Sequence, residues 1–251
     1  MRRTSMVVSI FGAFAVVAAT NVMATPNLAN GEKIFKEGKG SVPACLTCHG
    51  EDGMGNDMMG TPRLAGQVAE FLRKQLTDFA TDKRTDTTMF VMNANAKGLT
   101  AQDREDVAVF LASLKHDESL AAAKPSDLNE LKSSGVEVGK PYLGKAIVLY
   151  GIEEKGVPAC KSCHGFNGRG SEPVYPQLSG QRYVYLMNQL KKWRDGTRAN
   201  DPLQQMQKVA QKLSDADMMN AASYLTGAPT STMGHGVTPP RHSELEHEAM
   251  H

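Results

Sequence analysis

The chain has 251 residues, of which 41% are hydrophobic and 22% charged, a composition that suits folded globular units and excludes a disordered polypeptide. With 28 Lys and Arg against 27 Asp and Glu, the formal charge is +1, which lacks the basic excess that a nucleic-acid partner requires. The length fits one large domain or two small ones.

Residues 1–24 stand apart from the rest. Arg2 and Arg3 precede an apolar run from Met6 to Ala19, and Val22-Met23-Ala24 follows. This pattern is that of a secretory signal peptide cleaved after Ala24. The apolar run is shorter than the roughly 20 residues a membrane-spanning helix needs, so retention as an anchor is the weaker reading. An exported mature protein is expected.

An opening helix is expected around Gly31 to Gly38, followed by V-P-A-C-L-T-C-H-G at 42–50. Cys-X-X-Cys followed at once by His is the attachment signature of a c-type haem. The two thiols, Cys45 and Cys48, can each form a thioether to a haem vinyl group, and His49 then falls beneath the iron as an axial ligand. Met54, Met58 and Met59 lie in the following loop. Pro62-Arg63-Leu64-Ala65-Gly66-Gln67 comes next, with Pro62 spaced so that its carbonyl could accept the His49 ring proton, although a plain turn proline fits equally. A helix over Phe71 to Leu76 leads to Arg84, which could meet a haem propionate or simply be solvated. Met89 and Met92 precede Leu99-Thr100, where a hydroxyl cap with Asp103 three residues on opens a closing helix that carries Phe110.

After a connector from about Lys115 to Gly139, the whole series recurs. Gly144 to Gly151 repeats the opening helix at an offset of 113, and V-P-A-C-K-S-C-H-G at 157–165 repeats the motif, with Cys160, Cys163 and His164. Pro176-Gln177-Leu178-Ser179-Gly180-Gln181, Tyr185 to Leu190, Arg198, and Leu213-Ser214 with Asp217 all follow at 114. Two such motifs, using every cysteine, favour haem over the competing readings: a four-cysteine zinc site, which leaves both histidines unexplained, a thioredoxin-like pair, or simple disulfides. Each half of about 100 residues is too small to bury a generous core unaided, and a haem would supply one.

The second axial ligand of an electron-carrying haem is commonly methionine. In the second half Met187 falls inside a helical register, leaving Met206; seven residues before Leu99 stands Met92, at the same offset of 114. Met89 is the local rival. Phe110 and Tyr224 sit alike on the closing helices, where each would pack on an opening helix. With both axial positions filled, an iron exchanges electrons but has no place for a substrate, so a carrier rather than an enzyme is expected. A dihaem peroxidase, needing one open iron, is the less favoured alternative.

The tail from Thr226 to His251 carries His235, His242, His247 and His251 with Met233 and Met250. It lacks apolar periodicity and is read as a disordered segment, with copper or zinc capture weighed against a merely solvated tail. His116 is read as exposed.

In these motifs the chain resembles the dihaem cytochromes c, most closely the cytochrome c4 group. The resemblance covers roughly residues 27 to 227. It implies an all-α protein of two tandem class I cytochrome c domains, each around a covalent haem c, with His49 and Met92 on one iron and His164 and Met206 on the other. The expected layout is a signal peptide at 1–24, domains at 25–115 and 139–227, a linker at 116–138 and a tail at 228–251. It also implies electron transfer in the periplasm between redox proteins, from a quinol-oxidising complex or dehydrogenase toward a terminal oxidase, with peripheral association to the inner membrane. The alternative is the cytochrome subunit of a larger dehydrogenase, such as one that oxidises sulfide.

Overall fold

The computed structural model describes residues 25–114 and 126–229. The expected signal peptide, His116 and the tail from residue 230 lie outside the described residues. Regular structure in the described residues is helical, with short 3-10 turns and isolated bridges. The first half holds α1 (Leu28–Glu37), α2 (Leu46–His49), α3 (Ala69–Ala80), α4 (Met92–Lys97) and α5 (Ala101–Ser113). After α6 (Leu128–Ser133), the second half repeats the order with α7 (Pro141–Tyr150), α8 (Lys161–His164), α9 (Tyr183–Asp195), α10 (Gln205–Ala210) and α11 (Asp215–Gly227).

Opening and closing helices cross closely in both halves, and one glycine in each makes the crossing possible. A Cβ on Gly31 would lie 2.2 Å from the Asp106 carbonyl oxygen, and one on Gly144 would lie 1.9 Å from that of Asn220. Phe110 packs on Phe35 of α1 with ring centroids 5.8 Å apart. Both closing helices begin in a capping box: Thr100 with Asp103, and Ser214 with Asp217, each hydroxyl accepting from the aspartate amide and each carboxylate from the cap amide. Lys39 and Lys155 add matching 2.6 Å ion pairs to these two carboxylates.

Each half has its own apolar core, one around Ile34, Phe35, Leu72, Val107 and Leu111, the other around Ile147, Val148, Tyr183, Leu186, Trp193 and Met218. Met187 belongs to the second core. Part of the stretch expected as a linker over 116–138 falls among the described residues. From residue 126 the chain packs on the second half: Leu131 enters the core, Ser126 Oγ accepts from the Tyr183 amide, and the Tyr183 hydroxyl donates to the Glu137 carbonyl. Leu128, Leu131, Val136 and Val138 give this stretch an apolar face of its own, which is why it folds back.

The two halves meet across a pseudo-two-fold axis written in amide hydrogen bonds. Gln67 accepts from the Gln177 backbone amide at 2.7 Å and donates to its carbonyl at 2.9 Å. Gln181 does the same to Arg63, at 2.7 and 3.0 Å. Gln67 matches Gln181 and Arg63 matches Gln177 at the repeat offset, so the same patch serves both sides, as an isologous interface requires. Arg63 also donates to the Ser179 carbonyl and the Gln177 side chain, both at 3.0 Å.

Gly144→Ala should lower the unfolding free energy by about 1–3 kcal/mol through overpacking, whereas Gly227→Ala, which meets open space, should leave it unchanged or raise it by up to about 1 kcal/mol. Denaturant titration checks both. Gln67→Leu strands the buried Gln177 amide and carbonyl, costing about 1–3 kcal/mol. Calorimetry should then show the two halves unfolding in separate transitions rather than together.

Candidate functional site

The repeated nonapeptide folds alike in both halves. Cys45 starts a single helical turn in which the His49 amide donates to the Cys45 carbonyl at 3.0 Å; the Cys160 and His164 pair does so at 2.9 Å. The glycine after each histidine, Gly50 or Gly165, stops the turn with φ of 83° or 73°, a region that side chains disfavour. The chain then loops back so that Pro62 O lies 3.0 Å from His49 Nδ1, and Pro176 O lies 2.9 Å from His164 Nδ1.

This geometry sets the protonation of the imidazoles. Each Nδ1 must carry the proton to donate to a prolyl carbonyl, which leaves Nε2 as a free lone pair. Burial lowers both histidines from their ordinary value and outweighs the opposing contacts, the prolyl carbonyl in each and Asp86 beside His49, which favours the neutral ring. A neutral, oriented Nε2 is what a metal ion in the adjacent cavity would take.

One continuous cavity runs between the halves, and both motif cysteine pairs, His49, His164, Met92 and Met206 all line it. Apolar side chains such as Leu72, Leu99, Leu186 and Leu213 make much of its wall. Among the described residues no group of three or more His, Cys, Asp or Glu converges to hold a metal ion, so the cysteine pairs do not combine into one four-sulfur site. The four thiols form no disulfide. Burial pushes the Cys45 and Cys160 thiols up to about 11, opposite to the lowered value a thiol–disulfide exchanger needs. The donor set and the apolar wall together suit a flat macrocycle held by two sulfurs and ligated by imidazole and thioether.

Met92 begins α4 and Met206 lies in the first turn of α10, both half-buried. Each amide donates to an aspartate, Met92 to Asp86 at 3.3 Å and Met206 to Asp201 at 2.7 Å. Asp86 also accepts from Thr88, Met89 and Val91, so one carboxylate pins the whole loop. Those amides hold Asp86 below the usual carboxylate range although burial acts against them. Met89 reaches the cavity rim but is 36% exposed. Met54 is buried, and Met58 and Met59 are on the loop surface or near it.

The solvated alternative for Arg84 and Arg198 does not hold. Both are buried, and they exchange partners across the pseudo-two-fold axis. Arg84 donates to Gln75 at 2.8 Å and Gln189 at 2.9 Å; Arg198 donates to Gln189 at 2.7 Å and Gln75 at 3.0 Å. Each guanidinium also stacks on an aromatic ring of its own half, Arg84 on Phe79 and Arg198 on Trp193. Burial raises the Tyr185 phenol, but the two guanidiniums outweigh it and bring the value down. Both arginines line the cavity midway between the halves.

Several of these residues carry no role in the sequence reading: Gln67, Gln75 and their counterparts Gln181 and Gln189, and the aspartates Asp86 and Asp201. The glutamines had a visible signal, since each recurs at 114. The aspartates are offset by 115 and did not.

A sequence model described as cytochrome c matches residues 28–115 and 154–228. A thiosulfate dehydrogenase electron acceptor from Stutzerimonas stutzeri is 35% identical over 229 residues, covering 90% of this chain and 99% of that protein. Cytochrome c4 from Pseudomonas aeruginosa is 34% identical over 192 residues, covering 76% and 86%. The solved structure of the thiosulfate dehydrogenase TsdBA from Marichromatium purpuratum superposes with a TM-score of 0.70 at 30% identity; the likeness covers 86% of this chain but only 43% of that one. The chain belongs to the cytochrome c family, as a dihaem electron carrier of the cytochrome c4 group with one covalent c-type haem for each of its two tandem domains.

Proposed function

We propose that Cys45 and Cys48 bind one haem and Cys160 and Cys163 the other, with His49 and Met92 on the first iron and His164 and Met206 on the second. The observation that carries this reading is the recurrence, in both halves, of an imidazole with a free Nε2 and a thioether on the wall of the same cavity. When bound, each haem supplies a one-electron couple. The protein orients the imidazoles through Pro62 and Pro176, positions the thioethers through Asp86 and Asp201, and keeps water from the cavity with its apolar wall. Arg84 and Arg198, fixed between the halves, are placed to receive propionates. With no open coordination position, reactants stay outside and only electrons pass.

The donor class follows from the likeness to the thiosulfate dehydrogenase electron acceptor, which spans nearly all of that relative. A dehydrogenase that oxidises thiosulfate therefore supplies the electrons, and a respiratory partner on the way to a terminal oxidase takes them. In this reading the chain is the acceptor beside a dehydrogenase. Its site is the periplasm, reached by loss of residues 1–24, with peripheral contact at the inner membrane. Among the described residues no helix is long and apolar enough to cross a membrane.

Intact mass of the exported protein should show two covalent haems. The oxidised spectrum should contain the sulfur-to-iron charge-transfer band, and Met92→Ala or Met206→Ala should each remove about half of it. If Met89→Ala does so instead, the first-half assignment is wrong. Thiosulfate together with a thiosulfate dehydrogenase should reduce both irons, whereas thiosulfate alone should not. Rapid cyanide binding by the unaltered protein would support the peroxidase alternative and contradict the carrier.

A further inference from the structure

Helices α3 and α9 match position for position at the repeat offset, yet the groups they present at the interface differ. On α9, Tyr185, Gln189 and Lys192 stand at i, i+4 and i+7 and so share one face, and all three line the cavity. The matched residues on α3 are Phe71, Gln75 and Asp78. Each helix bonds to the stretch of the other half that leads to a methionine. From α9, Tyr185 and Gln189 accept from Arg84, and Lys192 reaches Thr88. From α3, Gln75 accepts from Arg198, and Asp78 accepts from Asn200.

The chemistry of these two crossings is unequal. On the α3 side the charges are already matched: Asp78 takes the Lys74 ammonium, which also donates to the Asn200 carbonyl at 2.8 Å. On the α9 side Lys192 donates to the Thr88 hydroxyl at 2.6 Å and pairs with no carboxylate among the described residues. Asp86 attracts it from farther off but spends both oxygens on the amides of Thr88, Met89, Val91 and Met92. Burial lowers Lys192 from its ordinary value ahead of that attraction. The Tyr185 oxygen accepts from Arg84 at 3.2 Å, while its own proton meets no acceptor among the described residues. Phe71, at the matched position, has no hydroxyl to satisfy. A phenol proton and an ammonium on the wall of one cavity, next to a guanidinium, form a donor set for a carboxylate.

We propose that Tyr185 and Lys192 of the second half receive a carboxylate of the first-half haem, so that the first cofactor site is completed across the interface. The first haem is the one concerned because both side chains bond to the stretch from Arg84 to Thr88, which runs on to Met92. The corresponding second-half stretch meets α3, where Lys74 is already taken by Asp78. The inference rests on the haem assignment proposed above. It ties the docking of the halves to the first cofactor: parting them would remove two of its donors. An ammonium there also opposes the extra positive charge of the oxidised iron, so it favours the reduced form.

The test uses the full dihaem protein. In its reduced, diamagnetic form, nuclear Overhauser contacts should join the Tyr185 ring and the Lys192 ε-methylene protons to the propionate methylene protons of the first-half haem. Contacts to the second-half haem instead, or to neither haem, overturn the inference. In stepwise reduction, with each iron resolved by its own haem methyl signals, Lys192→Met should raise the oxidised-to-reduced ratio of the first iron severalfold at a fixed potential. The second iron should change less, and Lys192→Arg, which keeps the charge, should stay near the unaltered ratio. Tyr185→Phe, which installs the ring already present at Phe71, should shift the first-haem propionate signals and spare those of the second. A Lys192→Met protein with both haems in place and an unchanged first-iron ratio also overturns the inference. The contacts in the unaltered protein decide the matter even if a variant does not fold. A first half without haem would instead bring down the functional reading itself.

Discussion

Four buried amide contacts across a pseudo-two-fold axis govern the rest of this molecule. Gln67 grips the backbone of Gln177 with both ends of its side chain, and Gln181 grips Arg63 in return. The gripped residue in each half directly follows the proline whose carbonyl faces the histidine. The interface and the two imidazoles are therefore fixed by the same short loops. A shift of one half against the other would pull on both prolyl carbonyls, and the cavity between the halves would lose its shape.

The same economy shows in the arginines. Surface arginines contribute little, but Arg84 and Arg198 are buried, stacked on Phe79 and Trp193, and bound to glutamines of both halves. Two like charges held this close carry a desolvation and repulsion cost, which shows in the lowered value of Arg198, caused first by burial and then by Arg84. A pair of anionic groups on the cofactor would offset that cost, since each arginine lines the cavity.

Much of this was legible in the sequence because the duplication acted as an internal control. The cysteine–histidine motifs, the paired helices and the capping boxes at Thr100 and Ser214 all came from comparing one half with the other. What escaped comparison was contact between the halves. Gln75 and Gln189 repeat faithfully, yet nothing in the spacing says that each serves the other half's arginine as well as its own. The segment after residue 126 also escaped, because α6 has no counterpart among the described residues of the first half and its apolar residues are too few to announce a packed helix. Thr61 and Tyr175 differ in type at one shared position, and only the structure shows that one ring rests on a histidine.

The central claim is that each half closes its iron between an imidazole and a thioether. The most direct measurement is the proton NMR spectrum of the fully reduced protein. A methionine methyl group lying over the porphyrin face is displaced far upfield by the ring current. Two such three-proton signals, one lost with Met92 and the other with Met206, are the expected result. A single upfield methyl, or none, would contradict the account.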